Sequence, residues 1–260
     1  MVAAYLNAPF THEVYVKNGE EYWRLHKALY GLKQAGHEWY NTLRDIMMKS
    51  GLSQCIGDPE VFLKKGSIII ATHVDDMAAF APIESSIRET ELAIEQHVEL
   101  EKLGQPTKLL GMELTWGPNQ EWVKLTHSSA IGNLTKEFGI MTTIPTKSLP
   151  LNANDYTPPL EEEQIDLTLQ KKYQSLVGSL LYIACHTRPE ISLHINLLGR
   201  RTFKPSQTNF QTAVRILRYL SSSSTSGICL RRENQEVTEE ENTSIQGYAD
   251  ASYGGEKSLS

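Results

Sequence analysis

A pair of adjacent acids, Asp75 and Asp76, stands between two short apolar runs and restricts the local fold more than any other stretch of the sequence. The runs SIIIATHV (67–74) and MAAFA (77–81) predict two buried strands joined by a tight turn at the acids. Because an unpaired buried carboxylate is costly, acids at such a tip either face water or hold a cation. With only oxygen ligands nearby, a metal site here would favour magnesium. The dipeptide alone leaves both a solvated turn and a metal site open.

The first 125 residues mix predicted strands with predicted helices, a pattern typical of an α+β domain. Besides the two runs at the acids, EVYVK (13–17) predicts a strand. Helical periodicity covers 35–51 and 84–104, and each stretch ends in glycine, a common helix stop. KLLGMELTWGPNQEWVKLTH (108–127) predicts a β-hairpin with its turn at Gly-Pro-Asn, and SSAIGNLTKEFG then opens a helix.

The second half of the sequence separates a proline-rich stretch from a helical one. Residues 141–166 hold four prolines and an acidic run, which predicts a linker or an extended surface loop. Amphipathic helical stretches follow between 171 and 220. The segments 227–232 and 244–255 are β-like.

The charge balance argues against a simple basic nucleic-acid coat, because 25 Lys and Arg against 31 Asp and Glu give a net charge of −6. Phosphate binding depends on local fields, however, and acids are concentrated in 161–166 and 236–241. Segment 186–220 has the opposite balance, with Glu190 as its single acid. This segment fits either an anionic strand or an ordinary solvated helical face. Its basic residues are Arg188, Arg200, Arg201, Lys204, Arg215 and Arg218.

Apolar stretches and cysteines exclude further classes of protein. Unbroken apolar stretches such as 68–71 and 180–185 are far short of the roughly 18 residues that a membrane span needs. The N-terminal sequence lacks the basic start and long apolar run of a secretory signal, so we expect the chain to stay inside the cell. Cys55, Cys185 and Cys229 form no CxxC pair, which predicts buried reduced thiols rather than a zinc knuckle or a disulfide framework.

Seven sequence blocks occur in one order along the chain: AYLNAPF, LHKALYGLKQAGHEWY, HVDDM, LEKLG with LLGMEL, YQSLVGSLLYIACHTRPEI, AVRILRYL and YADASYGG. Together they resemble the reverse transcriptase of copia-type long-terminal-repeat retrotransposons, from residue 1 to about 255. The resemblance implies an α+β fold. It consists of a reverse-transcriptase palm with a mixed or antiparallel sheet and helices, a helical thumb and connection, and the first strand of an RNase H-like domain.

The resemblance also implies a division of the chain into segments of the Pol polyprotein. We expect a partial palm at 1–116, the end of the primer-grip hairpin and a thumb helix at 117–140, a proline-rich and acidic linker at 141–172, a helical thumb and connection at 173–226, and the start of a truncated RNase H-like domain at 227–260.

By this resemblance the HVDDM block would be the polymerase turn, with Asp75 and Asp76 as the catalytic and metal-binding acids. The implied reaction is nucleotidyl transfer onto a primer 3′ hydroxyl with two magnesium ions (Mg²⁺), or Mn²⁺ as the alternative. LLGMEL matches the hairpin that grips the primer end, although its alternating apolar residues also fit a plain strand.

Other site residues follow from the same resemblance. Tyr5 matches the aromatic residue that excludes a 2′ hydroxyl, and Tyr30, Gly31 and Lys33 match the block that backs the nucleotide and template base. Further matches are Lys102 as a candidate general acid for the pyrophosphate, Asp250 as the first acid of the RNase H-like remnant, and Arg200, Arg201, Lys204, Arg215 and Arg218 as contacts to duplex phosphates.

Two residues depart from the family pattern: His73 stands where Tyr or Phe is usual, and Gly36 replaces a proline. By the same resemblance, the first metal-binding aspartate would precede Met1 by one position, with a fingers region before it. We therefore expect one missing metal ligand, and little or no polymerisation by this chain alone. The alternative is a non-catalytic retrotransposon remnant that binds nucleic acid or a full-length polymerase.

The partners implied by the resemblance are an RNA template, a DNA primer or duplex, deoxynucleoside triphosphates (dNTP), and other Pol or Gag products, without a membrane. The implied location is the cytoplasm, within virus-like particles, with the nucleus as the alternative.

Overall fold

The computed structural model describes residues 3–140, 149, 156 and 166–231 of the 260-residue chain. The chain forms two compact units, Met1–Gly104 and Gln105–Ser260. Both units combine helices with antiparallel strands, which confirms the α+β class predicted from the sequence. Within the described residues, no helix has both the length and the apolar character needed to cross a membrane.

The first unit combines a four-stranded antiparallel sheet with a two-stranded hairpin and helices. Its elements are α1 (Ala4–Asn7), β1 (Tyr15–Asn18), β2 (Glu21–Arg24), α2 (Ala35–Lys49), β3 (Ser53–Gln54), β4 (Val61–Lys64), β5 (Ile68–His73), β6 (Asp76–Phe80) and α3 (Glu84–Glu95). The larger sheet has the order β3-β4-β5-β6, and β1 pairs with β2. The acids of the HVDDM block therefore lie at the tip of the β5–β6 hairpin.

The core of the first unit lies between α2 and one face of this sheet. Strand β5 alternates, with Ile68 and Ile70 buried and Ile69 exposed, as expected for a sheet with one covered face. Helix α2 buries residues at helical spacing, including Trp39 and Leu43. Gly51, with φ +84°, ends the helix in a Schellman motif, because Gly51 N bonds Met48 O and Leu52 N bonds Met47 O.

The second unit combines another four-stranded antiparallel sheet with longer helices. Its elements are β7 (Lys108–Leu109), β8 (Met112–Trp116), a 3₁₀ turn (Pro118–Gln120), β9 (Trp122–Thr126), α4 (Ser128–Glu137), α5 (Leu167–His186), a 3₁₀ turn (Pro189–Ile191), α6 (Ser192–Gly199), α7 (Gln207–Ser222) and β10 (Ile228–Arg231). The sheet order is β10-β9-β8-β7, so the strand at 228–231 pairs with the second arm of the predicted hairpin.

Helices α4 to α7 enclose the core of the second unit. Tyr173 and Leu180 of α5 and Leu217 of α7 are fully buried in one apolar cluster. The Asp166 carboxylate accepts from two backbone amides at the start of α5. Ser206 caps α7 in a reciprocal capping box with Asn209. These caps fix where the two longest helices begin.

Two expectations from the sequence are wrong in detail. The helix predicted over 84–104 ends at Glu95, because the amides of His97 and Val98 both bond Ile94 O and the tightened turn sends Val98 into the core. The cysteines are not all buried: Cys55 is half-buried, and Cys185 and Cys229 are exposed. Cys185 on α5 and Cys229 on β10 face outward, an orientation that the cysteine spacing does not encode.

Candidate active site

The turn between β5 and β6 carries the two adjacent acids. His73 pairs with Asp76 across the hairpin, so Val74 and Asp75 form a two-residue connection. Val74 has φ +53°, a left-handed conformation that is unusual for a β-branched residue and costs roughly 1–2 kcal/mol. Contacts from elsewhere are needed to keep this turn in shape.

Two hydrogen bonds hold this turn in place. The buried indole of Trp39 donates from Nε1 to the Val74 carbonyl over 2.8 Å. The Tyr30 hydroxyl donates to Oδ2 of Asp75 over 2.9 Å. Both donors belong to the LYGLKQAGHEWY stretch, so the structure brings two of the sequence blocks together through specific side chains.

Gly31 explains how Tyr30 reaches the acid. The Leu32 amide bonds the Leu29 carbonyl over 3.2 Å, and Gly31 has φ +93°. This is the pattern of a type II turn, with Tyr30 at its second position and glycine at the third, where a positive φ is required. The predicted role of Gly31 thus includes a backbone conformation that directs its neighbour.

Tyr5 lies beside Tyr30. The two ring centroids are 4.5 Å apart with an interplanar angle of 45°, and Tyr5 is half-buried on α1. Desolvation of the hydroxyl, followed by its hydrogen bond to Asp75 and the charge of that acid, raises the pKa of Tyr30. The phenol therefore stays neutral at physiological pH and keeps its role as a donor.

Asp75 and Asp76 differ in how far they are exposed. Asp75 is half-buried, whereas Asp76 is exposed at the first position of β6. Their carboxylate oxygens are the ligand type that Mg²⁺ and Mn²⁺ prefer. Nδ1 of the neighbouring His73 lies 3.7 Å from Oε2 of Glu60. Across residues 3–140, 149, 156 and 166–231, no three His, Cys, Asp or Glu side chains cluster closely enough to hold a metal ion. The turn therefore fits such a site in donor type and offers two adjacent carboxylates.

The two candidate lysines differ in their surroundings. Lys33 is exposed just before α2. Lys102 is also exposed, and its Nζ lies 3.1 Å from the Glu95 carboxylate and 3.5 Å from that of Glu91. The hydrogen bond to Glu95 is the main cause of a raised pKa at Lys102, so its ammonium stays charged.

The basic residues of the second unit fall into two groups. Arg200 and Arg201 follow α6 and Lys204 precedes α7, whereas Arg215 and Arg218 are exposed on α7 itself. Arg218 lies about 16 Å along the helix axis from Gln207, at 1.5 Å per residue. Two of the five phosphate-binding candidates therefore lie on α7 itself, and the other three lie in the connection between α6 and α7.

Arg188, which contributes to the positive balance of its segment, is buried. Its guanidinium bonds Glu190 over 2.6 Å and the backbone and side-chain oxygens of Ser223 over 2.9 and 2.8 Å. It also lies 5.5 Å from the Tyr219 ring centroid. Arg188 thus joins the ends of two helices through intramolecular bonds.

One candidate lies outside the described residues, and one contributor was missed. Asp250 belongs to residues 232–260, which the structure does not describe. Trp39 is not among the site residues that the resemblance implies, yet its indole N–H bonds the turn of the acids. A usable signal was present, because a buried tryptophan needs an acceptor for its N–H.

Comparison with known proteins gives the following matches. A family model described as reverse transcriptase (RNA-dependent DNA polymerase) matches residues 1–153. The transposon Ty5-1 protein of Saccharomyces cerevisiae is 28% identical over 264 residues, which cover 96% of this chain and 82% of that protein.

Two plant proteins show a similar level of identity. The retrovirus-related Pol polyprotein from transposon TNT 1-94 of Nicotiana tabacum is 26% identical over 273 residues, covering 97% of this chain and 20% of the polyprotein. The retrovirus-related Pol polyprotein from transposon RE1 of Arabidopsis thaliana is 29% identical over 267 residues, which cover 98% of this chain and 17% of that polyprotein. The chain thus spans about a fifth of either polyprotein. No solved structure matches.

Proposed function

Because the chain belongs to the reverse transcriptase (RNA-dependent DNA polymerase) family and corresponds to that region of a copia-type retrotransposon Pol polyprotein, we propose that its Asp75–Asp76 turn is the site of nucleotidyl transfer onto a primer 3′ hydroxyl. The single observation that carries this proposal is the bonding of the turn to the LYGLKQAGHEWY stretch by Tyr30 and Trp39. Because these two hydrogen bonds fix the turn, the adjacent acids keep one orientation. A site that binds charged reactants requires such a fixed orientation.

Each residue of the site has a separate task in this proposal. Asp75 and Asp76 would hold Mg²⁺ or Mn²⁺, which when bound favours the alkoxide form of a primer hydroxyl and neutralises triphosphate charge. Tyr30 orients the Asp75 carboxylate. Tyr5, beside Tyr30, excludes a ribose 2′ hydroxyl by its bulk and so favours dNTP substrates. Lys33 binds phosphate as an exposed point charge.

Two further roles are proposed away from the turn. Lys102 donates a proton to the pyrophosphate leaving group, which its charged state permits. The exposed arginines of α7 contact the phosphates of an RNA–DNA duplex without reading its sequence. The partners are then an RNA template, a DNA primer and other Pol or Gag products, in cytoplasmic virus-like particles or in the nucleus.

We further propose that this 260-residue chain alone adds few or no nucleotides. A two-metal centre needs several carboxylates at one point, and within the described ranges no third ligand joins Asp75 and Asp76. The experiment is primer extension on an RNA template with dNTP and Mg²⁺ or Mn²⁺, with the Asp75→Asn variant as the matched control.

The expected result is duplex binding with extension no greater than in the control. Extension that Asp75→Asn abolishes would contradict the proposed inactivity and establish the polymerase turn. Failure to bind an RNA–DNA duplex at low salt would contradict the nucleic-acid role altogether.

A non-catalytic binding role is the second candidate function. The exposed positions of Arg215 and Arg218 on one helix favour it, because phosphate contacts do not depend on the acids. This candidate predicts salt-sensitive duplex binding that the Asp75→Asn and Asp76→Asn variants retain in full. Divalent-dependent binding lost in those variants would favour the catalytic role.

A further inference from the structure

The turn between β7 and β8 has a demanding backbone conformation. Leu109 pairs with Met112, so Leu110 and Gly111 form a two-residue connection. Both have positive φ, +46° at Leu110 and +78° at Gly111. A turn with two left-handed residues suits the twist of a hairpin, but a leucine there is strained. This turn therefore also needs support from other residues.

Tyr182 of α5 supplies that support. Its hydroxyl donates to the Leu110 carbonyl over 2.5 Å. A Cβ added to Gly111 would stand 3.4 Å from the same hydroxyl oxygen. The tyrosine thus contacts both residues of the turn, and Leu110 remains 41% exposed on the outside.

The Tyr182 ring is itself held by two histidines. Its centroid lies 5.1 Å from that of His127 and 4.3 Å from that of His186. His127 is fully buried, with Nδ1 2.7 Å from Oγ1 of Thr187. His186 Nδ1 lies 2.7 Å from the Tyr182 carbonyl. The hydroxyl is consequently aimed from a fixed ring, which is what a positioning residue requires.

We propose that Tyr182 is a positioning residue for the 3′-terminal nucleotide of a DNA primer, acting through its hydrogen bond to the Leu110–Gly111 turn. The inference rests on the proposed function, because it needs a primer whose 3′ end is extended, and the turn lies in the LLGMEL block that resembles a primer-gripping hairpin. Tyr182 does not touch the nucleotide. It fixes the backbone of the exposed turn that does.

The test compares two RNA–DNA duplexes, one with a recessed DNA 3′ end and one with blunt ends, by fluorescence anisotropy with the full chain. Tyr182→Phe keeps the ring on its histidines and removes only the hydroxyl. We expect this variant to bind the recessed duplex about fivefold more weakly, which is the effect of one lost hydrogen bond. Its affinity for the blunt duplex should equal that of the wild type. Tyr219→Phe, the same change at a half-buried tyrosine of α7, should bind both as the wild type does.

A general loss of structure would weaken the binding of both duplexes by the same factor. The ratio of the two affinities therefore distinguishes a positioning effect from a folding effect. Gly111→Ala provides a second variant. An alanine at a φ of +78° is strained, and its Cβ would contact the Tyr182 hydroxyl. We expect the same selective loss, and the double variant should lose no more than either single one, since both act through one turn.

The outcomes distinguish this inference from the proposed function. Selective loss in both variants supports the positioning role. Equal binding of the recessed duplex by wild type and Tyr182→Phe overturns it, as does a wild type that binds recessed and blunt duplexes equally. A wild type that binds neither duplex overturns the proposed function itself.

Discussion

Tyr30 donates a hydrogen bond of 2.9 Å to the Asp75 carboxylate across 45 residues of sequence. A carboxylate that accepts from a fixed donor keeps its other lone pairs in one orientation, as metal ligands held by outer hydrogen bonds do. The neutral form of the donor is favoured, because desolvation and the neighbouring acid raise the pKa of Tyr30.

Tyr30→Phe should therefore weaken divalent-ion binding at the turn, on the order of tenfold, with little change in the free energy of unfolding. Electron paramagnetic resonance of Mn²⁺ measures the affinity. Tyr22→Phe, at an exposed tyrosine of β2, is the matched control. In the wild type, the affinity should not fall between pH 7 and pH 9 through Tyr30, since its pKa lies above its ordinary value. Unchanged Mn²⁺ affinity in Tyr30→Phe would show that the bond does not orient the acid.

The strained backbone at Val74 should make the stability of the first unit sensitive to substitution at this residue and at Trp39. Val74→Gly is expected to stabilise the first unit by about 1 kcal/mol, because glycine adopts a φ of +53° without a steric penalty. Trp39→Phe should destabilise it by about 1–3 kcal/mol, because the buried indole N–H bond to the Val74 carbonyl is lost.

Urea unfolding of the two single variants and the double variant measures both effects. Part of the cost of Trp39→Phe should disappear in the Val74→Gly background, since the bond and the strain act on one turn. Strict additivity would argue that Trp39 stabilises the fold by packing alone.

The second unit should lose stability in mild acid. Burial lowers the pKa of His127, an effect to which His186 adds, and burial also lowers the pKa of His194. A lowered pKa means that the folded state favours the neutral ring. The stabilisation is therefore complete above the ordinary histidine pKa of about 6.5 and is lost as pH falls through the lower folded value.

Hydrogen exchange of peptides from β9, α4 and α5, corrected for the intrinsic rate, should show weaker protection at pH 5 than at pH 7.5. His127→Asn should reduce this pH dependence, and His194 should account for the remainder. A full pH response in the double variant of both histidines would place the titrating group elsewhere.

Arg188 and Arg218 should behave in opposite ways. Arg188→Met removes a buried guanidinium with bonds to Glu190 and Ser223, so we expect a loss of about 2–4 kcal/mol in unfolding free energy. Arg218→Met, at an exposed position of α7, should change stability by no more than about 0.5 kcal/mol.

Duplex binding reverses the order of the two variants. Arg218→Met should weaken binding and lower the slope of log affinity against log salt by about one. Folded Arg188→Met should keep the wild-type slope. A wild-type slope in Arg218→Met would remove this arginine from the phosphate contacts.

Local patterns in the sequence predicted much of the fold. Short apolar runs located β5 and β6 to within a residue at each end, and helical spacing located α2. The tight turn at Asp75 and Asp76 followed from the position of the two acids between these runs. These features depend on neighbours within a few residues, which a single sequence displays directly.

Features that depend on distant packing were not predictable. The Trp39–Val74 bond joins residues 35 positions apart, and neither residue type alone specifies the partner. The end of α3 depends on Val98 entering the core, although the helical pattern of charges and apolar residues continues beyond it. Arg188 looked like one more surface cation because its partner Ser223 comes from the far end of α7.

The turn at Gly31 makes the candidate site depend on handedness. An added Cβ at this glycine would meet nothing within 4 Å, so space is not what excludes a side chain there. The obstacle is φ +93°, which disfavours L-residues and suits their mirror images. A D-alanine introduced at residue 31 by chemical ligation should therefore leave Tyr30 on Asp75, whereas the L-enantiomer, with the same atoms, should displace it. At this one position the geometry of the acids relies on the only amino acid that has no chirality.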